Sequence, residues 1–186
     1  MTRTVVVTPP ERLILASEAR EHLRYLSDDQ DTLIEAYIDA VTGHIDGPDG
    51  WLGRAIGQQT LELRTDRFCD RAMRLRYSPI ISVTSVKYLD EDDVEQTLAA
   101  SGNWSLIDDS VVLATDASWP STSTQPEAVR VRYVAGWTTI PAAIKAAVLI
   151  MVADLFRNRE SVTAGGAMAI PMPTTAEALL WPYRRW

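Results

Sequence analysis

The chain has 186 residues, of which 46% are hydrophobic and 23% charged, so it can bury the core of one domain of ordinary size, and disorder is not expected. Its formal net charge of -7 argues against a protein that coats nucleic acid by bulk electrostatics, because phosphate neutralisation needs a basic face. A single cysteine excludes an intrachain disulfide, and with two histidines a Cys/His zinc site is short of ligands.

The N-terminal part is predicted to hold two helices. The segment "SEAREHLRYL" from Ser17 is typical of a short helix, which the polar stretch "SDDQD" ends. Ser27 and Gln30 have the spacing of a capping box for a second helix. That helix carries an apolar stripe at helical spacing: Ile34, Ile38, Val41 and Ile45. We interpret the acids of "SDDQD" as helix caps rather than cation ligands, and the glycines of "GPDGWLG" as a break after the helix.

No stretch of the sequence predicts a membrane segment. The start, "MTRTVVVTPPERL", lacks the continuous apolar region of a signal peptide. The longest apolar stretch, residues 144–156, contains Lys145 and Asp154 and is shorter than the roughly 20 residues that span a bilayer.

The middle of the chain has the period of β-strands. Short segments rich in valine, leucine and tyrosine predict a small antiparallel sheet or open barrel: "QQTLELRT", "AMRLRY", "ISVTSVKYLD", "DVEQTLA", "SVVLAT" and "AVRVRYVAG". In the last of these, Val129, Val131 and Tyr133 share one face, while Arg130 and Arg132 share a face exposed to water. The segment "LDEDDVEQTL" predicts a hairpin with four acids at its tip, and it lacks the glycine and terminal glutamate of an EF-hand loop.

A long apolar helix is predicted in the last third of the chain. It follows "TTIP", whose Pro141 is well tolerated in a first helical turn. One stripe of this helix consists of Ile144, Val148, Met151 and Leu155. Other apolar residues surround most of the helix, which must therefore be central. A link of Gly, Ala and Pro, "VTAGGAMAIPMP", then leads to a last short helix or turn and the aromatic tail "LLWPYRRW".

The residues do not predict a catalytic, cofactor or metal site. No nucleophile elbow surrounds a serine or Cys69, and no glycine-rich nucleotide motif is present. We interpret His22 as an ordinary helix residue and His44 as a partner of backbone carbonyls at a helix end.

Arginines are concentrated in "RTDRFCDRAMRLRY": Arg64, Arg67, Arg71, Arg74 and Arg76. They either lie on the wet side of a sheet, with Asp66 and Asp70 as neighbours, or face an acidic partner or phosphates. The first interpretation is favoured.

The ordered set of segments resembles the head-tail connector (adaptor, or head-completion) proteins of long-tailed bacteriophages and phage-derived gene transfer agents. The resemblance runs from about Leu15 to Arg184. It is carried by the helix pair "LASEAREHLR" and "DDQDTLIEAYIDAVTGHID", then "GRAIGQQT", "YVAGW", "IPAAIKAAVL" with "NRE", and the terminal "LLWPYR". Arg185 and Trp186 go beyond the usual "LLxPYR" ending of the family.

Residues and resemblance together predict an α+β fold. It is a small helical bundle, made of two N-terminal helices, a long late helix and a C-terminal tail, with an inserted antiparallel β subdomain. The expected parts are an N-terminal helical part, a β subdomain, a central helix, and a linker with a docking tail: residues 1–57, 58–137, 138–163 and 164–186.

The resemblance implies a structural virion protein and no reaction or cofactor. Such proteins form a ring, usually twelvefold, under the portal, extend the DNA channel and join the head to stopper or tail proteins. The expected location is the head-tail junction of the virion, after synthesis in the cytoplasm of the bacterial host. DNA would pass without sequence-specific binding, and acids facing the channel would repel its phosphates, with the "DEDD" hairpin as a candidate.

Two other classes of function stay open at this point. A stopper or tail-terminator protein is also a small ring-forming subunit, but it predicts a mostly β chain. A small enzyme or binding module needs a pocket with converging polar groups.

The resemblance assigns docking to the C-terminal tail. Residues expected to dock on the portal or a neighbouring subunit are Leu179, Leu180, Trp181, Tyr183 and Arg184. The helix from Pro141 to Arg159 would be a core and inter-subunit element. Deleting residues 177–186 is expected to leave a folded protein that no longer joins the particle.

Overall fold

A computed structural model describes residues 2–68, 71–158, 162–163, 166–167 and 172–185. The helices of this part are α1 (Ala16–Leu23), α2 (Asp31–Ile45), α3 (Ala142–Arg157) and α4 (Thr174–Leu180), followed by a 3-10 turn, Trp181–Tyr183. The strands are β1 (Thr2–Thr8), β2 (Gln59–Thr65), β3 (Ala72–Arg74), β4 (Ile80–Leu89), β5 (Glu95–Thr97), β6 (Trp104–Ile107), β7 (Ser110–Leu113), β8 (Val129–Ala135), β9 (Val162–Thr163) and β10 (Gly166–Ala167). The strands pair antiparallel, so the predicted α+β fold class is confirmed.

The chain divides into two compact units. One, here called the β unit, combines Met1–Glu11 with Arg54–Thr138. The other, the helical unit, combines Arg12–Gly53 with Thr139–Trp186. The first strand of the chain, β1, therefore belongs to the same unit as the central strands, although residues 1–57 were predicted to form one helical part.

Two antiparallel sheets build the β unit. The five-stranded sheet has the order β1-β2-β8-β4-β5, and the three-stranded sheet has the order β3-β7-β6. One core joins them: Leu61, Leu63 and Val131 of the larger sheet cluster with Met73 and Val111 of the smaller one. Burying apolar faces in this way supplies most of the free energy that holds two sheets together.

Alternation along β8 fixes which face of the larger sheet meets this core. Val129, Val131 and Tyr133 are fully buried, as predicted, while Arg130 and Arg132 lie on the opposite face. The Tyr133 hydroxyl donates to the Arg76 carbonyl at 3.0 Å, which satisfies its one polar group inside the core. Burial raises the pKa of Tyr133 above its ordinary value.

The predicted acidic hairpin is confirmed. Strands β4 and β5 pair through Lys87 with Thr97 and Leu89 with Glu95, and Asp90–Asp93 form the turn between them. Strands β1 and β6 were not predicted. The valines of β1 cover the edge of β2, with Arg3 opposite Arg64 in the register.

The helical unit buries the stripes that the periodicity predicted. Ile34, Ile38 and Ile45 of α2 have no exposed surface, and neither have Ile144 and Val148 of α3. These two helices pack against each other, and α4 packs against α3.

The capping box predicted for α2 is wrong. The helix begins at Asp31 after Gln30, with no side-chain cap. Instead, the Ser27 hydroxyl accepts from the backbone N–H of Asp29 at 3.4 Å, so this serine shapes the turn before the helix. The late helix, predicted to run from Pro141 to Arg159, ends at Arg157, with Asn158 as its C-cap. Most of the predicted Gly/Ala/Pro link, and Arg159 itself, lie outside the described residues.

Candidate assembly surfaces

The C-terminal segment is anchored on its own subunit. Ala176 and Leu180 of α4 are fully buried, while Leu179 is half-buried. Leu180 therefore belongs to the core of the helical unit rather than to a free docking surface. The expectation that deletion of residues 177–186 leaves the fold intact does not agree with this packing, because the deletion would remove a buried core side chain.

Beyond Leu180 the segment becomes an exposed aromatic cluster. Trp181 is 54% exposed, and its ring lies 6.4 Å from the ring of Trp51. The guanidinium of Arg184 stacks over Trp51 at 4.1 Å and lies 5.9 Å from Trp181. Tyr183 is half-buried beside them. A cation held over an indole face is a favourable contact, so the cluster is held in one arrangement while Trp181 stays accessible.

Backbone contacts fix where the tail runs. The N–H of Arg185 donates to the carbonyl of Leu52 at 2.9 Å. Gly53 adopts a φ of +61°, and a Cβ at this position would lie 2.7 Å from the carbonyl oxygen of Arg185. Only glycine meets both demands without strain, so the "GPDGWLG" segment serves as the platform for the tail. Trp186 lies outside the described residues.

The predicted stripe of the late helix has three buried members and one half-buried member. Ile144, Val148 and Met151 are buried, and Leu155 is half-buried. Leu155 and Met151 line a small hollow with His44, Asp154 and other residues: Ala40, Val41, Met172 and Pro173. Its lining is mainly apolar, and the polar side chains among these residues are those of His44 and Asp154.

The described residues contain no group of three or more His, Cys, Asp or Glu side chains that could hold a metal ion. None of the helices in residues 2–68, 71–158 and 172–185 is long and apolar enough to cross a membrane.

The acidic hairpin tip, here called the acidic turn (Asp90–Asp93), is a structured loop. The Asp90 carboxylate accepts from the backbone N–H groups of Asp92 and Val94 at 3.1 and 3.0 Å and from the Gln96 amide at 2.8 Å. These bonds, the one from Gln96 foremost, lower the pKa of Asp90. Glu91 and Asp92 are exposed and have no hydrogen bond or ion pair from their carboxylates to another described residue.

The polar face of the five-stranded sheet carries a network that the sequence did not predict. Here called the cationic face, it comprises Arg3, Arg64, Lys87, Arg130 and Arg132. At its centre lies Glu62, whose Oε2 accepts from Nε and Nη2 of Arg132 at 3.1 and 2.7 Å. Its Oε1 accepts from Nε of Arg64 at 2.8 Å.

Glu62 is buried beneath its partners. Its side chain is 6% exposed, compared with 29% for Arg64 and 45% for Arg132. Burial raises the pKa of Glu62, but the hydrogen bonds from Arg132 and Arg64 outweigh it and hold the pKa below its ordinary value. The alternation of β2 could have placed Glu62 and Arg64 on one face, but the pairing with Arg132 depends on the register between β2 and β8.

Of the five clustered arginines, Arg64 belongs to this face. Arg74 and Arg76 alternate with the buried Met73 and Leu75 at the edge of the three-stranded sheet and are exposed. The favoured interpretation, arginines on the wet side of a sheet, agrees with these positions.

A model of the head completion protein family matches residues 12–186. The chain belongs to the head completion protein family. This membership confirms the family that the sequence resembles, and it supports a structural protein of the head–tail region.

Solved structures share the fold. A chain from the neck of an empty gene transfer agent (GTA) particle is 23% identical with a TM-score of 0.68, covering 99% of this chain and 95% of its own. A chain from the virion of a native GTA particle has the same identity and TM-score, covering 97% and 94%. A third, from the neck of a native GTA particle, is 21% identical with a TM-score of 0.65, covering 99% and 94%. No curated protein matches the sequence.

Proposed function

We propose that this protein is a ring subunit at the head-tail junction of a virion, located between the portal and the stopper or tail proteins. The family match over residues 12–186 carries the proposal. The shared fold supports it, because the similar chains come from GTA necks and cover nearly the whole length of this one. The subunit would be made in the cytoplasm of the bacterial host and would extend the channel through which DNA passes.

A ring of twelve copies is the assembly that we favour. The neck of the native GTA particle was computed with C12 symmetry, and the neck of the empty particle with C6 symmetry, which also accommodates twelve positions. Closed rings use heterologous contacts, in which two different surfaces of each subunit meet. The other virion role, a stopper or tail terminator, predicts a mostly β chain, and the four helices of the described residues argue against it.

The exposed part of the C-terminal segment is the surface that we assign to docking on the portal or a neighbouring subunit. Trp181 and the Arg184 side chain stacked over Trp51 present an aromatic and cationic patch. Trp, Tyr and Arg are the residue types that carry most of the binding energy at interfaces. Leu180, although predicted to dock, would instead hold the patch in place from inside the subunit.

Quantitative mass spectrometry of purified DNA-filled particles tests the proposal. Copies of this protein are compared with copies of the portal in the same particles. A ratio near one to one is expected for a ring matched to the portal. Absence from the particles would overturn the proposed function and favour a role in assembly alone.

A further inference from the structure

The cationic face is positively charged in a chain that is negatively charged as a whole. Its five cations are paired with three carboxylates, from Glu62, Glu95 and Glu127. The face therefore has an excess of two positive charges, against a net charge of -7 for the chain. Because Glu62 is buried beneath Arg64 and Arg132, the guanidinium groups are what a partner would meet.

The face is also broad. Its cations stand on β1, β2, β8 and β4, which are neighbours in the sheet. Strands in a sheet lie about 4.8 Å apart, so the face is roughly 14 Å wide. Glu62 binds Arg64 and Arg132 through three hydrogen bonds, which lowers the entropy cost of ordering these two side chains against a partner.

An acidic surface is present on the same chain. The carboxylates of Glu91 and Asp92 in the acidic turn make no hydrogen bond or ion pair with another described residue, while Asp90 and Asp93 hold the turn in shape. The hairpin acid that reaches the cationic face of its own chain is Glu95, which pairs with Lys87 and Arg130. The exposed carboxylates of the acidic turn are therefore available to a partner outside their own chain.

We propose that the cationic face of one copy binds the acidic turn of the next copy around the ring. This proposal rests on the proposed function, since a head-to-tail ring requires two different and complementary surfaces on each subunit. A second copy fits better than nucleic acid. Strong binding to DNA needs many uncompensated cations, and this face has an excess of two on an acidic chain.

Cross-linking between single-cysteine chains tests the contact directly. In a Cys69→Ser background, one tagged chain carries Asp92→Cys and an untagged chain carries Arg130→Cys or Arg3→Cys. Particles assembled from both are treated with a short bis-maleimide. Since each chain holds one cysteine, a cross-link can form only between two copies. We expect a dimer of one tagged and one untagged chain from the mixtures, with a yield that follows the fraction of neighbouring positions occupied by one chain of each type.

Chains of a single type serve as the control for this experiment. Particles that contain only Asp92→Cys, or only an arginine variant, should give no cross-linked dimer. If neither mixture cross-links in particles that hold the normal number of copies, the proposal is overturned.

Exchange of charge between the two surfaces is the second test. Arg3→Glu with Arg130→Glu, or Glu91→Lys with Asp92→Lys, should each lower the copies per particle by about tenfold, because like charges then face each other. A chain with all four substitutions should recover, since its surfaces are again complementary. The matched control, Arg74→Glu with Arg76→Glu, alters exposed arginines of the other sheet and should leave incorporation unchanged.

The outcomes separate this proposal from the proposed function. If the wild-type protein is absent from the particles, the ring itself is in error. If it is present at portal stoichiometry but the four-substitution chain does not recover, the ring stands and this contact is wrong. Retardation of a DNA duplex by the wild type at low salt, lost in Arg3→Glu with Arg130→Glu, would assign the face to nucleic acid and likewise overturn the proposal.

Discussion

Glu62 is a charged residue in a buried position: its carboxylate carries a negative charge, but its side chain is only 6% exposed. A carboxylate on the wet face of a sheet is ordinarily solvated, yet this one is covered by the two arginines that bind it. A buried charge of this kind is tolerated only when partners replace its water, and three charge-assisted hydrogen bonds do so here.

We expect Glu62→Gln to lower the free energy of unfolding at pH 7 by about 1–2 kcal/mol, because the amide cannot replace the ionic bonds to Arg64 and Arg132. The pKa of Glu62 in the folded protein lies below its ordinary value of 4.5. Its contribution is therefore complete above pH 4.5 and is lost as the pH falls through the folded pKa. Urea unfolding at pH 7 and at a series of lower pH values measures both effects.

Two results decide this prediction about Glu62. The variant should lose less stability than the wild type on going from pH 7 to acid, since one of the carboxylates responsible is gone. Glu91→Gln in the acidic turn is the control and should match the wild type at pH 7. Equal stability of Glu62→Gln and wild type at pH 7 would contradict the role assigned to the network.

Gly53 and Gly43 allow the effect of an added Cβ on stability to be compared at a strained and at an open position. Gly53→Ala should destabilise the helical unit by about 1–2 kcal/mol, because alanine is strained at positive φ and its Cβ would press on the Arg185 carbonyl. Gly43→Ala is the matched control. It lies in α2 with nothing within 4 Å of the added carbon, so it should stabilise by about 0.5–1 kcal/mol. Thermal unfolding that ranks the two variants in the opposite order would refute this account of the tail platform.

At the scale of elements, α4 contributes to the stability of the fold, while the 3-10 turn after it carries the proposed docking surface. Leu180→Ala should cost about 2–5 kcal/mol of unfolding free energy, as expected for a fully buried leucine. Trp181→Ala should cost less than about 1 kcal/mol, since the side chain is 54% exposed. Under the proposed docking role, the Trp181→Ala protein should nevertheless be absent from the particles.

Denaturant unfolding and copy number per particle check this pair of variants together. A folded Trp181→Ala protein present at wild-type copy number would remove the docking role of the exposed cluster. Loss of Leu180→Ala from particles carries no such information, because an unstable subunit is absent for a different reason.

Periodicity was sufficient for the elements that bury a regular face. The stripes of α2 and α3 and the alternation of β8 were predicted because burial repeats at the helical or strand spacing. The strand β1 was not, because three valines between polar residues and two prolines give too short a pattern, and its partner β2 lies more than fifty residues away. Strand β6 is similarly short.

The candidate surfaces show the same limit. The composition of "LLWPYRRW" predicted residues that need a cover, but not that Leu180 finds it within the subunit while Trp181 stays exposed. That choice depends on the phase of α4 and on Trp51, a residue distant in sequence. Likewise, Arg130 and Arg132 were predicted on a wet face, while the burial of Glu62 beneath Arg132 required the register of two strands.

At the scale of the whole molecule, the charges are sorted by place rather than spread evenly. Acidic residues outnumber basic ones, which gives the chain its net charge of -7. On the cationic face, most of the positive charge is neutralised by ion pairs with glutamates of the same chain. Such a subunit repels a polyanion at long range, yet still presents a local surface for an acidic protein partner. A channel built from it would let DNA slide.

This distribution predicts that the isolated protein does not hold DNA. Fluorescence anisotropy of a labelled duplex at physiological salt should show a Kd weaker than about 10⁻⁴ M, the weak end of ordinary non-specific binding. Raising the net charge by four through Glu91→Lys with Asp92→Lys should tighten binding at low salt, which shows that the assay responds to charge. A micromolar Kd for the wild type, falling steeply with salt, would contradict the prediction, because a ring of such subunits would grip the genome that it is proposed to let pass.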